Sequence, residues 1–157
     1  MKIALLQTGK TTEKHISEGV EIYSVRLKKY CGFEIITIPE LKATRNMPVK
    51  EQKTREGKKI LEALGRDDIA VLLDERGKEF STVDFARWLE GKSQMQGKRM
   101  VFIIGGSWGF SDEVNEIAGM RISLSKMTFP HQLVRLLFVE QLYRAFTIIK
   151  GEPYHHE

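Results

Sequence analysis

Two segments of the chain combine residues that suit ligand binding. The first, residues 123–132, reads SLSKMTFPHQ and offers many backbone donors between small and modestly apolar side chains. Walls of this kind suit a purine that is held by main-chain hydrogen bonds. The second is the glycine pair Gly105 and Gly106, which would let a ligand approach the backbone closely, although an ordinary break between strand and loop explains it equally well. Together, the two segments predict a ligand-binding site.

Near the end of the chain, three polar side chains could act on a bound molecule: Arg144, Tyr154 and His155. Arg144 shares a stripe with Glu140 and Thr147, at positions i, i+4 and i+7 of an otherwise apolar helix. That stripe is either the solvent face of the helix or a face turned toward a site. Tyr154 and His155 lie in a terminal segment, where a solvated tail is the ordinary expectation. The spacing alone does not decide whether the stripe and the tail face solvent or contribute to a site.

Gly9, Lys10 and Thr11 follow the first strand and resemble the end of a phosphate-binding loop. The full motif needs a glycine five residues before Gly9, but Ala4 stands there, inside the strand. We therefore do not expect nucleotide hydrolysis. The histidines are dispersed, without paired cysteines or carboxylates at ligand spacing, so we expect no metal site.

To position these groups, the chain offers five strand patterns that alternate with helix patterns. The strand patterns cover residues 2–7, 33–38, 69–73, 100–104 and 121–124. This alternation predicts a single α/β domain over residues 1–157, with a mostly parallel sheet and helices on both faces. Ligands bind beyond the carboxyl ends of such strands. The loops after Leu73, Ile104 and Leu124 are therefore expected to meet at one site, and residues 74–78 are expected to form an exposed charged loop.

The longest helix pattern runs from Pro130 to Lys150 and is apolar around almost its whole circumference. A helix of this kind must be covered on more than one side. Because a chain of 157 residues has little material left for that purpose, the simplest cover is a second copy of the protein. The sequence therefore predicts a homodimer that is built on this helix.

The composition indicates a soluble globular protein with a moderate basic bias. Hydrophobic residues make up 41% and charged residues 29%, and the formal net charge is +4. Such a charge suits a polyanionic partner without requiring one, and the basic run at residues 50–59 is either a solvated face or an RNA-backbone contact. Cys31, the only cysteine, excludes a disulfide framework and fits a reducing cytoplasm. We expect no signal peptide and no membrane span.

The chain as a whole closely resembles the RlmH (YbeA-like) methyltransferases of the SPOUT superfamily. The resemblance spans the full length and rests on a combination of motifs, because each motif alone is weak. The residues that carry it are 105–107, 124–132, Arg135, Glu140, 143–146 and 153–155. Trp108 is bulkier than the residue that many relatives have at this position, and we expect it to shape the pocket entrance.

This resemblance implies an α/β fold whose C-terminal third threads a trefoil knot, a topology that hydrophobic periodicity cannot reveal. It also implies a homodimer and S-adenosylmethionine as cofactor, held in a bent conformation by the knot. The cofactor positions carried over from the family are Leu73, Gly105, Leu124, Ser125, Lys126, Met127, Thr128 and Phe129. The implied substrate is a pseudouridine in large-subunit (23S) ribosomal RNA, methylated at N3 on the assembled ribosome in the cytoplasm.

For that reaction the proton on N3 must leave, and a histidine is well suited to accept a proton near neutral pH. We expect His155 to take this role. Tyr154 would stack on or hydrogen-bond the target base, and Arg144 would neutralise the anionic ring or hold a phosphate. Two other functions remain open at this point: a related enzyme that acts on a different RNA, and a non-catalytic ribosome-binding factor.

Overall fold

Over residues 1–95 and 97–156, which are those that the computed structural model describes, the chain forms five strands and five helices. The strands are β1 (Lys2–Thr8), β2 (Gly32–Ile38), β3 (Ile69–Glu79), β4 (Arg99–Ile104) and β5 (Met120–Ser123). The helices are α1 (Lys14–Leu27), α2 (Val49–Ala63), α3 (Thr82–Lys92), α4 (Asp112–Ile117) and α5 (His131–Ile149). The predicted alternation of strands and helices is confirmed.

All strand pairs are parallel, in the order β2-β1-β4-β3-β5. β4 therefore lies at the centre of the sheet, and its residues Val101, Phe102 and Ile103 are completely buried. A continuous apolar run of this kind is typical of a strand that is covered on both faces. Because the strands are parallel, β3, β4 and β5 end at the same edge of the sheet.

Two apolar clusters cover the two faces of the sheet. Neighbouring side chains of a strand point to opposite faces, so Ile3 and Leu5 of β1 join one cluster while Ala4 and Leu6 join the other. Buried residues of α1, α3 and α5 belong to the first cluster, and those of α2 and α4 belong to the second. The prediction of helices on both faces is confirmed.

Helix α5 contacts both α1 and α3, so the chain itself supplies cover for this helix that the sequence analysis expected from a second copy. The two helices α1 and α5 approach closely at Gly19, where a Cβ atom would lie 2.7 Å from Leu136 Cδ1 and would force the Leu136 side chain to shift. The polar stripe on α5 is not a solvent face: Thr147 is fully buried, and Glu140 and Arg144 are half-buried. The interpretation in which this stripe simply faces water is therefore wrong.

Strand β3 is longer than its apolar pattern. Residues 74–78 are largely exposed, as predicted, but they belong to a strand that continues to Glu79 and not to a loop. Leu73 and Lys78 both lie opposite Ile122 of β5, so the residues between them bulge out of the pairing. The sequence did not reveal this extension because strand pairing is made by the backbone, whereas hydrophobic periodicity reports only the burial of side chains.

Gly77 lies in this bulge and touches the backbone of β5. A Cβ atom at this position would lie 2.7 Å from Arg121 C and 2.7 Å from Ile122 N. Carbon atoms in contact prefer separations of about 3.5–4.0 Å. The close passage of β5 past the bulge of β3 therefore requires glycine.

Candidate functional site

The bulged part of β3 and the ends of β4 and β5 surround a cavity of about 420 Å³, which we name the β3–β5 cavity. Its walls are residues 73–76 of β3, the loop at residues 104–110 after β4, and residues 124–131, which lead into α5. These are the three segments, after Leu73, Ile104 and Leu124, that the sequence placed together. A cavity of this size accommodates a small organic molecule.

Seven of the eight predicted cofactor residues line this cavity. They are Leu73, Gly105, Leu124, Ser125, Met127, Thr128 and Phe129. The eighth, Lys126, directs its side chain elsewhere: its ammonium group lies 3.5 Å from the carboxylate of Glu79, and the side chain is 83% exposed. The structure therefore brings the predicted set together, with the exception of the Lys126 side chain.

Local hydrogen bonds fix the segment between β5 and α5. Ser123 Oγ donates to the carbonyl oxygen of Ser125 at 2.9 Å, and the Met127 N–H donates to Ser125 Oγ at 3.0 Å. Thr128 Oγ1 donates to the carboxylate of Glu75 at 3.1 Å, which ties the segment to β3. Hydroxyl side chains that bond to nearby backbone hold a turn in one conformation. This wall of the cavity is therefore fixed by its own side chains.

The loop after β4 is rich in glycine for steric reasons. A Cβ atom on Gly105 would lie 2.9 Å from the ring of Phe110, and Gly109 has a φ of +85°, which residues with a side chain rarely adopt. Trp108 lines the cavity and is 57% exposed, which agrees with a position at the entrance. A ligand in the cavity therefore meets close-packed backbone on one side and an aromatic ring at the mouth.

Asp74 and Arg76 also line the cavity, although sequence reasoning did not assign them to a site. Arg76 donates to both carboxylate oxygens of Asp74, from Nε at 3.2 Å and from Nη2 at 3.0 Å. Burial alone would raise the pKa of Asp74, but these hydrogen bonds outweigh burial and hold the pKa below its ordinary value. Asp74 is therefore ionised at neutral pH. One feature of the sequence could have indicated Asp74 and Arg76 as site residues: they belong to a charged run that directly follows an apolar strand, at the edge of the sheet where ligands bind.

Arg144, Tyr154 and His155 form a second group with Glu140 and Tyr23, which we name the tail cluster. Glu140 Oε1 accepts hydrogen bonds from Arg144 Nε at 3.0 Å and from the Tyr154 hydroxyl at 3.2 Å. The hydroxyls of Tyr154 and Tyr23 are 3.3 Å apart, and the Arg144 guanidinium lies 4.6 Å from the centre of the Tyr154 ring. Arg144 Nη1 is 3.4 Å from His155 Nδ1. These tail residues are packed against the helices and do not form a solvated end.

The tail cluster keeps two of its groups in fixed protonation states. The hydrogen bond to Glu140 raises the pKa of the Arg144 guanidinium. Burial, followed by the hydrogen bond with Tyr23, raises the pKa of Tyr154. At neutral pH the cluster therefore presents a cation and a protonated phenol. Tyr23 was not predicted as a site residue, because nothing local in the sequence links it to a tail more than a hundred residues away.

Within one chain, the tail cluster does not reach the β3–β5 cavity. Val134 of α5 also lines the cavity, and Arg144 follows it on the same helix by ten residues. At 1.5 Å per residue, the two positions are about 15 Å apart along α5. The structure therefore leaves the two predicted sets of site residues separate within one chain.

Across residues 1–95 and 97–156, no three His, Cys, Asp or Glu side chains are grouped so that they could hold a metal ion. In the same part of the chain, no helix combines the length and the apolar character that crossing a membrane requires. Cys31 is buried, and burial raises the pKa of its thiol to about 11. The thiol therefore stays protonated at neutral pH.

The chain is similar to named proteins over its whole length. It is 52% identical over 157 residues to the ribosomal RNA large subunit methyltransferase H of Phocaeicola vulgatus, with 100% of both chains covered. It is 51% identical over 156 residues to the protein of the same name from Christiangramia forsetii, with 99% of both covered. Among solved structures it is similar to the SpoU methyltransferase AviRb from Streptomyces viridochromogenes, in complex with the cofactor AdoMet. That similarity has a TM-score of 0.46 and 11% identity, and it covers 96% of this chain and 59% of the other.

A family model described as predicted SPOUT methyltransferase matches residues 1–155. The two relatives, with 52% and 51% sequence identity over the full length, are methyltransferases by name, as the family model is. They confirm the resemblance to the RlmH enzymes. The chain belongs to the SPOUT methyltransferase family.

Proposed function

We propose that the protein is an S-adenosylmethionine-dependent methyltransferase that modifies large-subunit ribosomal RNA. The observation that carries this proposal is the 52% identity, over the full length of both chains, to a protein named ribosomal RNA large subunit methyltransferase H. The finer proposal is methylation at N3 of a pseudouridine in 23S rRNA, on the assembled ribosome in the cytoplasm. The resemblance of residues 124–132 and 153–155 to the RlmH enzymes supports it.

The β3–β5 cavity fits the proposed cofactor. An adenosine needs apolar surfaces for its ring and main-chain partners for its polar edge, and the cavity combines Leu73, Ile104 and Phe129 with the serine-fixed segment at residues 124–129. Leu73, Gly105 and this segment are therefore the residues proposed to hold it. S-adenosylmethionine bound there supplies a methyl group that its sulfonium already activates. The remaining tasks of the protein are alignment of the acceptor and exclusion of water.

In this proposal a second copy of the chain completes the site. One supporting observation is the separation of about 15 Å along α5 between Arg144 of the tail cluster and Val134, which lines the cavity of the same chain. The other is that α1 exposes Ile22 and Val25, which are 52% and 51% accessible. These residues are three positions apart, so they share one face of the helix. A homodimer that covers this face places each tail cluster beside the cavity of the other chain.

The tail cluster then provides the groups that act on the acceptor base. The partner's His155 accepts the proton that leaves the ring nitrogen, and the partner's Arg144 stabilises the negative charge that develops on the ring. The partner's Tyr154 contacts the base. Glu140 is a positioning residue in this scheme, because its carboxylate holds both Arg144 and Tyr154 by hydrogen bonds.

The proposal includes a trefoil knot in the C-terminal third of the chain. The support in the structure is the passage of β5 past the bulge of β3, where Gly77 leaves no room for a side chain. The segment that follows β5 lines the β3–β5 cavity before it enters α5.

The test is transfer of a labelled methyl group from S-adenosylmethionine to ribosomes that lack the modification, followed by nucleoside analysis. The expected product is N3-methylpseudouridine in 23S rRNA, with little label in free rRNA or tRNA. Label that appears mainly in tRNA or in another nucleoside would contradict the proposed substrate. A protein that binds ribosomes but shows no S-adenosylmethionine binding by calorimetry would contradict the proposed activity.

A further inference from the structure

A second cavity, of about 450 Å³, lies on the other side of the loop after β4, and we name it the β1–β2 cavity. Its walls come from the end of β1, from the loop after β2, from α2 and from the start of α5. It shares residues 104–108 and His131 with the β3–β5 cavity, so the two cavities meet at the glycine loop. The mechanism proposed above uses none of its other residues.

The position of this cavity in the sheet is one at which α/β proteins bind ligands. β1 and β4 are neighbours, but the chain leaves β1 through α1 on one face of the sheet and leaves β4 through α4 on the other. The crevice between two such strand ends is a topological switch point. The β1–β2 cavity opens there, since Thr8 at the end of β1 and Ile104 at the end of β4 both line it.

Arg135 gives the cavity an unusual buried charge. The residue is only 4% exposed, and its hydrogen bonds go to neutral oxygens: Nη1 donates to Thr11 Oγ1 at 2.9 Å and Nη2 donates to the carbonyl oxygen of Thr8 at 2.8 Å. Arg135 Nε and Thr8 Oγ1 are buried without a hydrogen-bond partner in the described part of the chain. Glu40 attracts this guanidinium only from beyond hydrogen-bond distance, and a buried cation without a carboxylate in direct contact is costly. A ligand that brings hydrogen-bond acceptors would offset this cost.

Glu56 adds an acceptor to the same cavity. Its Oε1 accepts the N–H of Gly106 at 2.7 Å, and the rest of the carboxylate has lone pairs for further donors. Lys10, Glu13 and Glu40 also line the cavity, so positive and negative groups are mixed there. Such a mixture disfavours a phosphate or a metal ion. It favours a neutral polar ring that carries both donors and acceptors.

We propose that the β1–β2 cavity binds the acceptor nucleobase of the RNA, with Arg135 donating to a ring carbonyl oxygen and Glu56 accepting from a ring N–H. This inference rests on the proposed function. Nucleobases present donors and acceptors side by side on their edges, and a guanidinium and a carboxylate that line the same cavity can bind both kinds of group. Trp108 lines both cavities, and its exposed ring offers a surface on which the base can stack. The base then lies next to the β3–β5 cavity, where the methyl donor is proposed to bind.

The test is steady-state methyl transfer to unmodified ribosomes by the full-length variants Glu56→Gln and Arg135→Lys. Glu56→Gln is nearly isosteric and keeps an oxygen for the Gly106 N–H, but it turns an amide donor toward the ligand. We expect kcat/KM for ribosomes to fall roughly tenfold to a hundredfold, mainly through KM, as for the loss of one hydrogen bond to a charged group. Affinity for S-adenosylmethionine, measured by calorimetry, should stay unchanged. Glu62→Gln and Arg66→Lys, both at exposed positions, are the matched controls.

Kinetic constants of both cavity variants equal to those of the controls would overturn the inference. A parallel loss of S-adenosylmethionine affinity would also overturn it, because the cavity would then hold part of the donor instead of the acceptor. If circular dichroism shows that Arg135→Lys does not fold, Glu56→Gln alone decides. If the wild-type protein transfers no methyl group to ribosomes, that result contradicts the proposed function and also the inference that rests on it.

Discussion

At the scale of single residues, His155 is the side chain proposed to accept the proton from the acceptor base. We expect His155→Ala to lower turnover at least about a hundredfold, which is the usual contribution of a general base. S-adenosylmethionine affinity should not change, because His155 does not line the β3–β5 cavity. Turnover and calorimetric binding are measured on the same preparations, with the exposed neighbour His156→Ala as the control. Wild-type turnover in His155→Ala would contradict the role of His155 as the general base.

Asp68 provides a prediction about stability and pH. Arg99 donates to both of its carboxylate oxygens, at 3.1 and 2.5 Å, and the Gly65 N–H donates at 2.7 Å. Burial alone would raise the pKa of Asp68, but these hydrogen bonds hold it below its ordinary value. In the folded state the carboxylate is therefore harder to protonate than in the unfolded state. Its contribution to stability is present above the unfolded pKa and is lost as the pH falls through the folded pKa.

Asp68→Asn should therefore lower the free energy of unfolding by about 2 kcal/mol at neutral pH. The difference from the wild type should stay constant down to a pH of about 4, the unfolded pKa, and shrink below it. Urea denaturation at a series of pH values measures both effects, and the exposed Asp67→Asn serves as control. A difference that grows in acid would contradict the role given to Asp68.

The sequence could predict those site residues that lie together in one short segment of the chain. Leu124, Ser125 and Phe129 belong to one continuous segment after a strand, so both the pattern and the family resemblance pointed to them. Tyr23 and Glu56 gave no such signal, because their partners, the Tyr154 hydroxyl and the Gly106 N–H, are brought to them only by the fold. Contacts between residues distant in sequence are not visible in periodicity.

At the scale of elements, Gly77 tests the close passage of β5 past β3. Gly77→Ala would force a Cβ atom to within 2.7 Å of the β5 backbone, and neither strand can yield easily. We expect a loss of about 3 kcal/mol in the free energy of unfolding, as for an overpacked core position. The control is Gly91→Ala in α3, where a Cβ atom meets nothing within 4 Å. Gly91→Ala should be neutral or stabilising by up to about 1 kcal/mol, and similar effects of the two substitutions in chemical denaturation would contradict this view of Gly77.

The order and type of the elements followed from the sequence because buried strands such as β4 are continuous apolar runs and the helices show apolar spacing. The extension of β3 to Glu79 did not follow, since its residues are charged. Nor did the strand order β2-β1-β4-β3-β5, because the parallel pairing of strands distant in the chain leaves no mark on local composition. The site could nevertheless be located, since in any parallel sheet the strand ends share one edge.

At the scale of the whole molecule, the exposed face of α1 predicts a change of oligomeric state. The double substitution Ile22→Glu with Val25→Glu places two charges on the proposed dimer face, where burial without partners is costly. We expect a folded monomer by sedimentation at micromolar concentration, with turnover lost. Thr54→Glu on α2, at an exposed position on the opposite face of the sheet, should leave the dimer intact. A double variant that remains dimeric would show that α1 does not form the interface.

The central claim is that one chain supplies the cofactor cavity and its partner supplies the tail cluster. The most direct test mixes two inactive variants after joint unfolding and refolding: His155→Ala, with an intact cavity, and Ser125→Trp, with a filled cavity and an intact tail. Random pairing makes half of the dimers mixed, each with one complete site. Methyl transfer to ribosomes should therefore recover to about one quarter of the wild-type rate. No recovery, although mixed dimers form, would contradict a site that is shared between two chains.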